Sequence, residues 1–220
     1  MIESELAGQI FLLSPAHCGG ERANLLLRTQ AVFPLAIQVR SREGAPLGEV
    51  FSFLSGLYFR GKLAYARAFA RPPRGLPGAL VISPSEGLRY PDERVTAERL
   101  RAWAKVDIDL ADPRYLAPLS SHIEALAATT DRRCRIVLLG SVATSKYVEP
   151  LLQALGDRLV FPPDFVGRGD MSRGSLLLRA ARQAHELTYA PVAGTPRQGG
   201  RPVPAAALRP YLDPRPVGKR

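Results

Sequence analysis

The chain has 220 residues, 46% of them hydrophobic, and carries 30 Lys and Arg against 20 Asp and Glu for a net charge of +10. That length holds one domain with a full core, and the hydrophobic share excludes a chain disordered throughout. No apolar run approaches the roughly 20 residues needed to span a bilayer, and two cysteines, Cys18 and Cys134, are too few for a disulfide framework or a structural zinc site.

Taken in chain order, Met1 to Glu5 is acidic and lacks the basic start of a signal peptide, so a cytoplasmic location and reduced thiols are expected. Gln9 to Leu13 is a short apolar run ended by Ser14-Pro15, a buried strand. Glu21 to Arg28 reads as a helix opened by Gly19-Gly20. Ala31 to Gly48 is ambiguous, with an extra strand suggested at Phe33 to Arg40. Glu49 to Ala70 carries apolar residues at helical spacing, with Gly56 and Gly61 placed to bend or split it. Ala79 to Ile82 is a second strand. Tyr115 to Ala128 is helical. Arg135 to Gly140 is the clearest strand and is expected to be central. Ser145 to Leu155 is a helix ended by Gly156, and Arg158 to Phe161 is a strand stopped by Pro162-Pro163. Ser172, as N-cap, opens a last helix to Glu186. Four short apolar strands alternating with helices predict an α/β fold with a small, four-stranded parallel sheet covered on both faces.

The domain is expected to span residues 1–192. Beyond it, Ala193 to Arg220 is rich in Pro, Gly and Arg. Six basic residues there face Asp213 alone, a net +5 out of +10. This composition predicts an extended basic tail, either a disordered end or a phosphate-grasping arm. Only four residues of the whole chain are lysines, Lys62, Lys105, Lys146 and Lys219, so the cationic surface is mostly guanidinium, which suits bidentate contact with phosphate. A net positive chain is drawn to polyanions, and DNA is the expected partner.

In parallel sheets, ligands bind at the carboxyl ends of the strands. After the first strand come Ser14, His17, Cys18, Gly19, Gly20 and Arg22. The glycines let backbone approach a ligand before a helix N-terminus. His17 is a candidate donor, with a loop histidine making one backbone bond as the bland alternative. Cys18 has no base to activate it. After the second strand, Glu86 is a candidate carboxylate or a solvated turn residue. After the third, Ser141, Lys146 and Tyr147 offer a hydroxyl, a cation and a ring, while Thr144 or Ser145 caps the helix. After the fourth, Arg168 and Arg173 flank Asp170, as a phosphate clamp beside a carboxylate or simply as its ion-pair partners.

Several of these segments together resemble a known family. Leu57 to Ala66 resembles a helix motif of an uncharacterised bacterial and phage family, labelled peroxide-stress-protein-like and grouped with the uracil-DNA glycosylase superfamily. Val81 to Asp92 is similar to its next block. Leu139-Gly140, Lys146-Tyr147 and Pro150 to Leu152 resemble the third, and Pro162 with the Gly167–Gly169 loop the fourth. The likeness runs over most of Ile10 to Arg179. The chain departs from the pattern at Glu86, where that family carries His, and at His17 and Cys18, where it carries Lys. The resemblance implies a uracil-DNA-glycosylase-like sheet and work on a nucleobase, a modified base in phage defence or DNA modification being the natural substrate.

Cleaving an N-glycosidic bond builds positive charge on the sugar and negative charge on the base. Asp170 or Glu86 is the expected carboxylate near the sugar, and His17 the donor near the base. Ser14, Gly19, Gly20, Arg22, Ser141, Lys146, Tyr147, Arg168 and Arg173 are the expected phosphate- or nucleic-acid-binding set. An aromatic such as Tyr147, Tyr58 or Phe165 would stack on a flipped base. This chemistry requires no metal or cofactor. A non-catalytic nucleic-acid-binding module and a small-molecule nucleoside enzyme are the alternatives.

Overall fold

A computed structural model describes residues 8–195; the acidic start, and the basic tail from residue 196 on, lie outside the described residues. Four strands run parallel: β1 (Gln9–Leu13), β3 (Ala79–Ile82), β6 (Arg135–Leu139) and β7 (Leu159–Phe161). They are the four apolar runs of the sequence. Two short strands widen the sheet to six, in the order β4-β3-β1-β6-β7-β8. Both β4 (Leu88–Arg89) and β8 (Ala190–Pro191) are antiparallel and sit at the edges. Proline cannot donate to a ladder, which suits Pro191 to an edge. A separate two-stranded ladder pairs β2 (Ala45–Pro46) with β5 (Arg94–Val95).

Alternation along β1 builds two cores. Phe11 and Leu13 face one, Ile10 and Leu12 the other, and all four are wholly buried. The first core holds side chains of α1 (Glu21–Leu27), α2 (Pro34–Arg40), α3 (Leu47–Ser55), α4 (Leu57–Phe69), α5 (Ala97–Trp103) and α8 (Asp170–Arg182). The second is covered by α6 (Pro113–Thr129) and α7 (Ser145–Leu155). A strand buried on both faces has no polar side to show, hence its unbroken apolar runs.

Several local expectations are corrected. Phe33 to Arg40 is not a strand: Pro34 sits at the first helical position, where its missing N–H costs nothing, and α2 follows. The helix expected over 49–70 is split at Gly56, whose φ of +64° ends α3 and starts α4. Gly61 does not bend α4. It lets α8 approach, since a Cβ there would lie 2.6 Å from the Gly174 carbonyl oxygen. Ser172 is no N-cap; α8 begins two residues earlier, behind Gly169, and ends at Arg182. Thr144, not Ser145, caps α7. Among the described residues no helix is long and apolar enough to cross a membrane.

Candidate active site

The first connection leaves β1 on one face of the sheet, while the connection after β6 leaves on the other. Strand order therefore reverses between these neighbours, and a crevice opens at their carboxyl ends. A cavity of about 660 Å³ lies there, walled by the segments after β1, β3 and β6 and by the starts of α4 and α8. That volume lies within the range of small-molecule sites, roughly 300–1,000 Å³.

The deepest feature is Lys62. It lies on α4, is 1% exposed, and lines the cavity. Its amine donates to the Ser14 carbonyl at 2.7 Å and to the Ser14 hydroxyl at 2.9 Å. It sits over the rings of Tyr58 and Phe59, 4.6 and 4.7 Å from their centroids. No carboxylate among the described residues pairs with it. Burial is the main cause that pulls its pKa down to about 7; Asp170 opposes and Arg173 adds to the fall. Burial thus favours the neutral amine, whose nitrogen carries a free lone pair.

Around it stand hydroxyls. Tyr147 accepts from the Ser141 amide at 2.9 Å, and burial pushes its pKa up to about 12, so it stays a neutral phenol. Tyr58 is 5% exposed, and its buried hydroxyl has no well-formed hydrogen bond among the described residues. Burial raises its pKa as well, more than the nearby Arg173 guanidinium lowers it. Trp103, the last residue of α5, also lines the cavity.

The expected site residues separate into two groups. Ser14, His17, Gly19, Ser141, Lys146, Tyr147 and Asp170 line this one cavity. Gly20 lies just behind, against the His17 ring. Cys18 lines it too, but burial pushes its thiol up to about 12, so it is no nucleophile at neutral pH. The other group turns away. Arg22 donates to the Phe53 carbonyl at 3.1 Å. Arg168 donates to the Asp164 carbonyl and to the Ser172 hydroxyl. Arg173 donates to the Phe165 carbonyl and stands 3.5 Å from Asp170, behind that carboxylate rather than in the cavity. The cavity is no anion funnel either: Asp107, Asp109 and Asp170 line it alongside Lys62 and Lys146.

Glu86 is likewise placed outside the lining. Its carboxylate is held by Arg99 and accepts the Trp103 indole N–H at 2.9 Å. Burial works to raise its pKa, but the bonds to Arg99 and Trp103 and the charges of Arg99 and Arg89 outweigh it and hold the group below the usual carboxylate range. It acts on the cavity at one remove, by fixing Trp103.

Lys62 and Trp103, with Asp107 and Asp109 from the segment after α5, were left out of the site by sequence reasoning; the first two are the more informative. Both lie inside helices with apolar neighbours, where a single polar or aromatic residue looks like periphery or core. Among the described residues, no cluster of His, Cys, Asp or Glu is arranged to hold a metal ion. Compared with known proteins, the chain matches no family model, no curated protein and no solved structure.

Proposed function

We propose that this chain is an enzyme that breaks the N-glycosidic bond of a nucleoside unit held in the cavity, with the Lys62 amine as nucleophile. The observation that carries the reading is the buried, carboxylate-free Lys62 amine, fixed by Ser14 where the ends of β1 and β6 diverge. A desolvated lysine in an apolar pocket is how proteins make an amine nucleophilic. The cavity has room for a base and its sugar; Tyr147, Tyr58 and Trp103 supply rings for a base, and the two tyrosines supply hydroxyl tips.

The Lys62 lone pair forms a bond to the anomeric carbon, and the glycosidic C–N bond breaks with its electron pair leaving on the base. The proton lost by the amine goes to the base, with the Ser14 hydroxyl as the adjacent relay. The nitrogen then forms a double bond to the anomeric carbon, the ring C–O bond opens, and the ring oxygen takes up a proton. Water adds to the resulting iminium and releases the sugar aldehyde and free Lys62. The net reaction is nucleoside plus water giving base plus sugar.

The test is trapping. Full-length protein is incubated with an oligonucleotide bearing an abasic aldehyde, reduced with borohydride, and the adduct mapped by peptide mass. The expected result is a single adduct at Lys62, lost in Lys62→Met and Lys62→Arg. An adduct at Lys105 or Lys146, or none at all, overturns the nucleophile assignment.

A second reading rests on Asp170, whose side chain is 69% exposed and lines the cavity. There it orients water toward the sugar while Lys62 donates to the departing base. Base release without an adduct, abolished by Asp170→Asn, would favour it.

A further inference from the structure

A second depression, of about 540 Å³, opens beside the first, and the two share Cys18, Gly19 and Ala104 in their walls. Its cations are Arg28 at the end of α1, Arg101 in the last turn of α5, and Lys105 one turn on. All three are exposed. Their side chains form no ion pair and donate no hydrogen bond among the described residues. Arg71, Arg89, Arg99 and Arg114 are paired to carboxylates, and Arg22, Arg40 and Arg158 spend their guanidinium groups on backbone carbonyls. In the groove the charges have no such structural duty. Like charges gathered without counter-ions repel one another, and an anion laid among them relieves that cost.

We propose that this groove carries the sugar-phosphate backbone of a nucleic acid strand whose target base enters the adjoining cavity, so that the substrate is a polymer rather than a free nucleoside. The inference rests on the glycosidic reading above for what enters the cavity. It rests on the groove alone for what lies outside. Three cations beside the mouth supply what the cavity lacks, because the carboxylates of Asp107, Asp109 and Asp170 outnumber the two lysines in its lining. A free nucleoside would leave the groove unused. A base must leave its stack to reach a site of this depth, so a single strand is the form to test.

The experiment measures the affinity of a labelled mixed-sequence single-stranded oligonucleotide at a series of salt concentrations. It compares the full chain with Arg28→Gln/Arg101→Gln/Lys105→Gln, and with the charge-keeping Arg28→Lys/Arg101→Lys/Lys105→Arg. Each phosphate contact on a single strand contributes about 0.7 to the log–log salt slope, so neutralising three should flatten it by roughly two. Binding near 100 mM salt should weaken roughly tenfold or more, and the charge-keeping variant should behave as wild type. Equal slopes for wild type and the neutral variant overturn the groove. So does a wild type that ignores the oligonucleotide but binds phosphatidylserine vesicles, which would make the patch a lipid contact. The two proposals fail separately. Trapping at Lys62 with unchanged slopes sinks the groove alone, while slope loss without trapping sinks the nucleophile alone. Lys62→Met, whose side chain lies outside the groove, should retain the wild-type salt slope.

Discussion

At the residue scale, Lys62 and Glu86 show how burial and partners divide chemistry from support. A lysine with a pKa of about 7, against an ordinary 10.5, is a stability statement. Between those values the unfolded chain holds a proton that the folded chain lacks, so stability rises with pH across that window. Below about 7 both states are protonated and the burial cost, on the order of a few kcal/mol, is fully present; above 10.5 it vanishes. Lys62→Met removes this titration and leaves the Ser14 carbonyl short of a donor, a loss of roughly 1–3 kcal/mol. Denaturant titrations should find the variant clearly weaker than wild type at pH 10, and the gap closed or reversed at pH 7. A gap that does not change with pH would mean that the amine is not desolvated. Glu86 behaves differently. Because Trp103 is the one tryptophan of the chain, its emission reports the cavity wall. Glu86→Gln should shift that emission and lower stability by about 1–2 kcal/mol, while Asp170→Asn, which touches neither Arg99 nor Trp103, should leave the emission unchanged. The same spectrum from both variants would contradict the supporting role of Glu86. What the sequence carried of this site was the set of strand ends: Ser14, His17, Ser141, Lys146, Tyr147 and Asp170 come together because parallel strands end on one edge. Lys62 was not legible, because whether a helical lysine points to water or into a protein is fixed by what packs on that helix.

At the element scale, the four parallel strands were readable because burial on both faces writes itself as unbroken apolar runs. The two-residue strands were not, since β4 and β8 owe their ladders to β3 and β7 rather than to any pattern of their own. The α4–α8 contact was hidden for a related reason. Gly61 looks like a helix breaker in one dimension, yet in the fold it and Gly174 let two helix backbones touch. A Cβ at Gly174 would lie 2.7 Å from the Leu57 carbonyl oxygen. Alanine at an open helical position gains up to about 1 kcal/mol over glycine, whereas overpacking costs roughly 1–3 kcal/mol. Backbone cannot rotate aside as a side chain can, so the clash should win. Gly61→Ala and Gly174→Ala are each expected to lower the melting temperature, and the double variant to lose less than the sum, since either one alone already parts the helices. Because Gly61 precedes Lys62, the same change should weaken trapping at the amine. A Gly61→Ala protein as stable as wild type would show that the helices are not in contact at these positions.

For the whole molecule, the consequence of the strand order is that β1 and β6 are each flanked by two strands and covered on both faces, so that the site and the core share the same two strands. Their register runs from Gln9 opposite Arg135 to Leu13 opposite Leu139, and one residue further along lie Ser14 and Gly140. A change that disturbs the middle of this pair therefore disturbs both cores and the cavity at once. Val137, opposite Phe11 and wholly buried, is the most demanding position to test. An aspartate there would place a carboxylate among the apolar side chains of Phe11, Leu13 and Leu139 in the larger core. Taking an unpaired charge out of water costs more than the roughly 5–15 kcal/mol by which domains of this size are stable, so the group would either stay protonated at a heavy penalty or the sheet would not form. Val137→Asp should be insoluble or lack a cooperative melt, and Val137→Ala, which only empties a little volume, should fold with a loss of about 1–3 kcal/mol. If the aspartate variant melted cooperatively near the wild-type temperature, β6 could not be an interior strand. The crevice between it and β1, and the place of Lys62 within it, would then fall with that assignment.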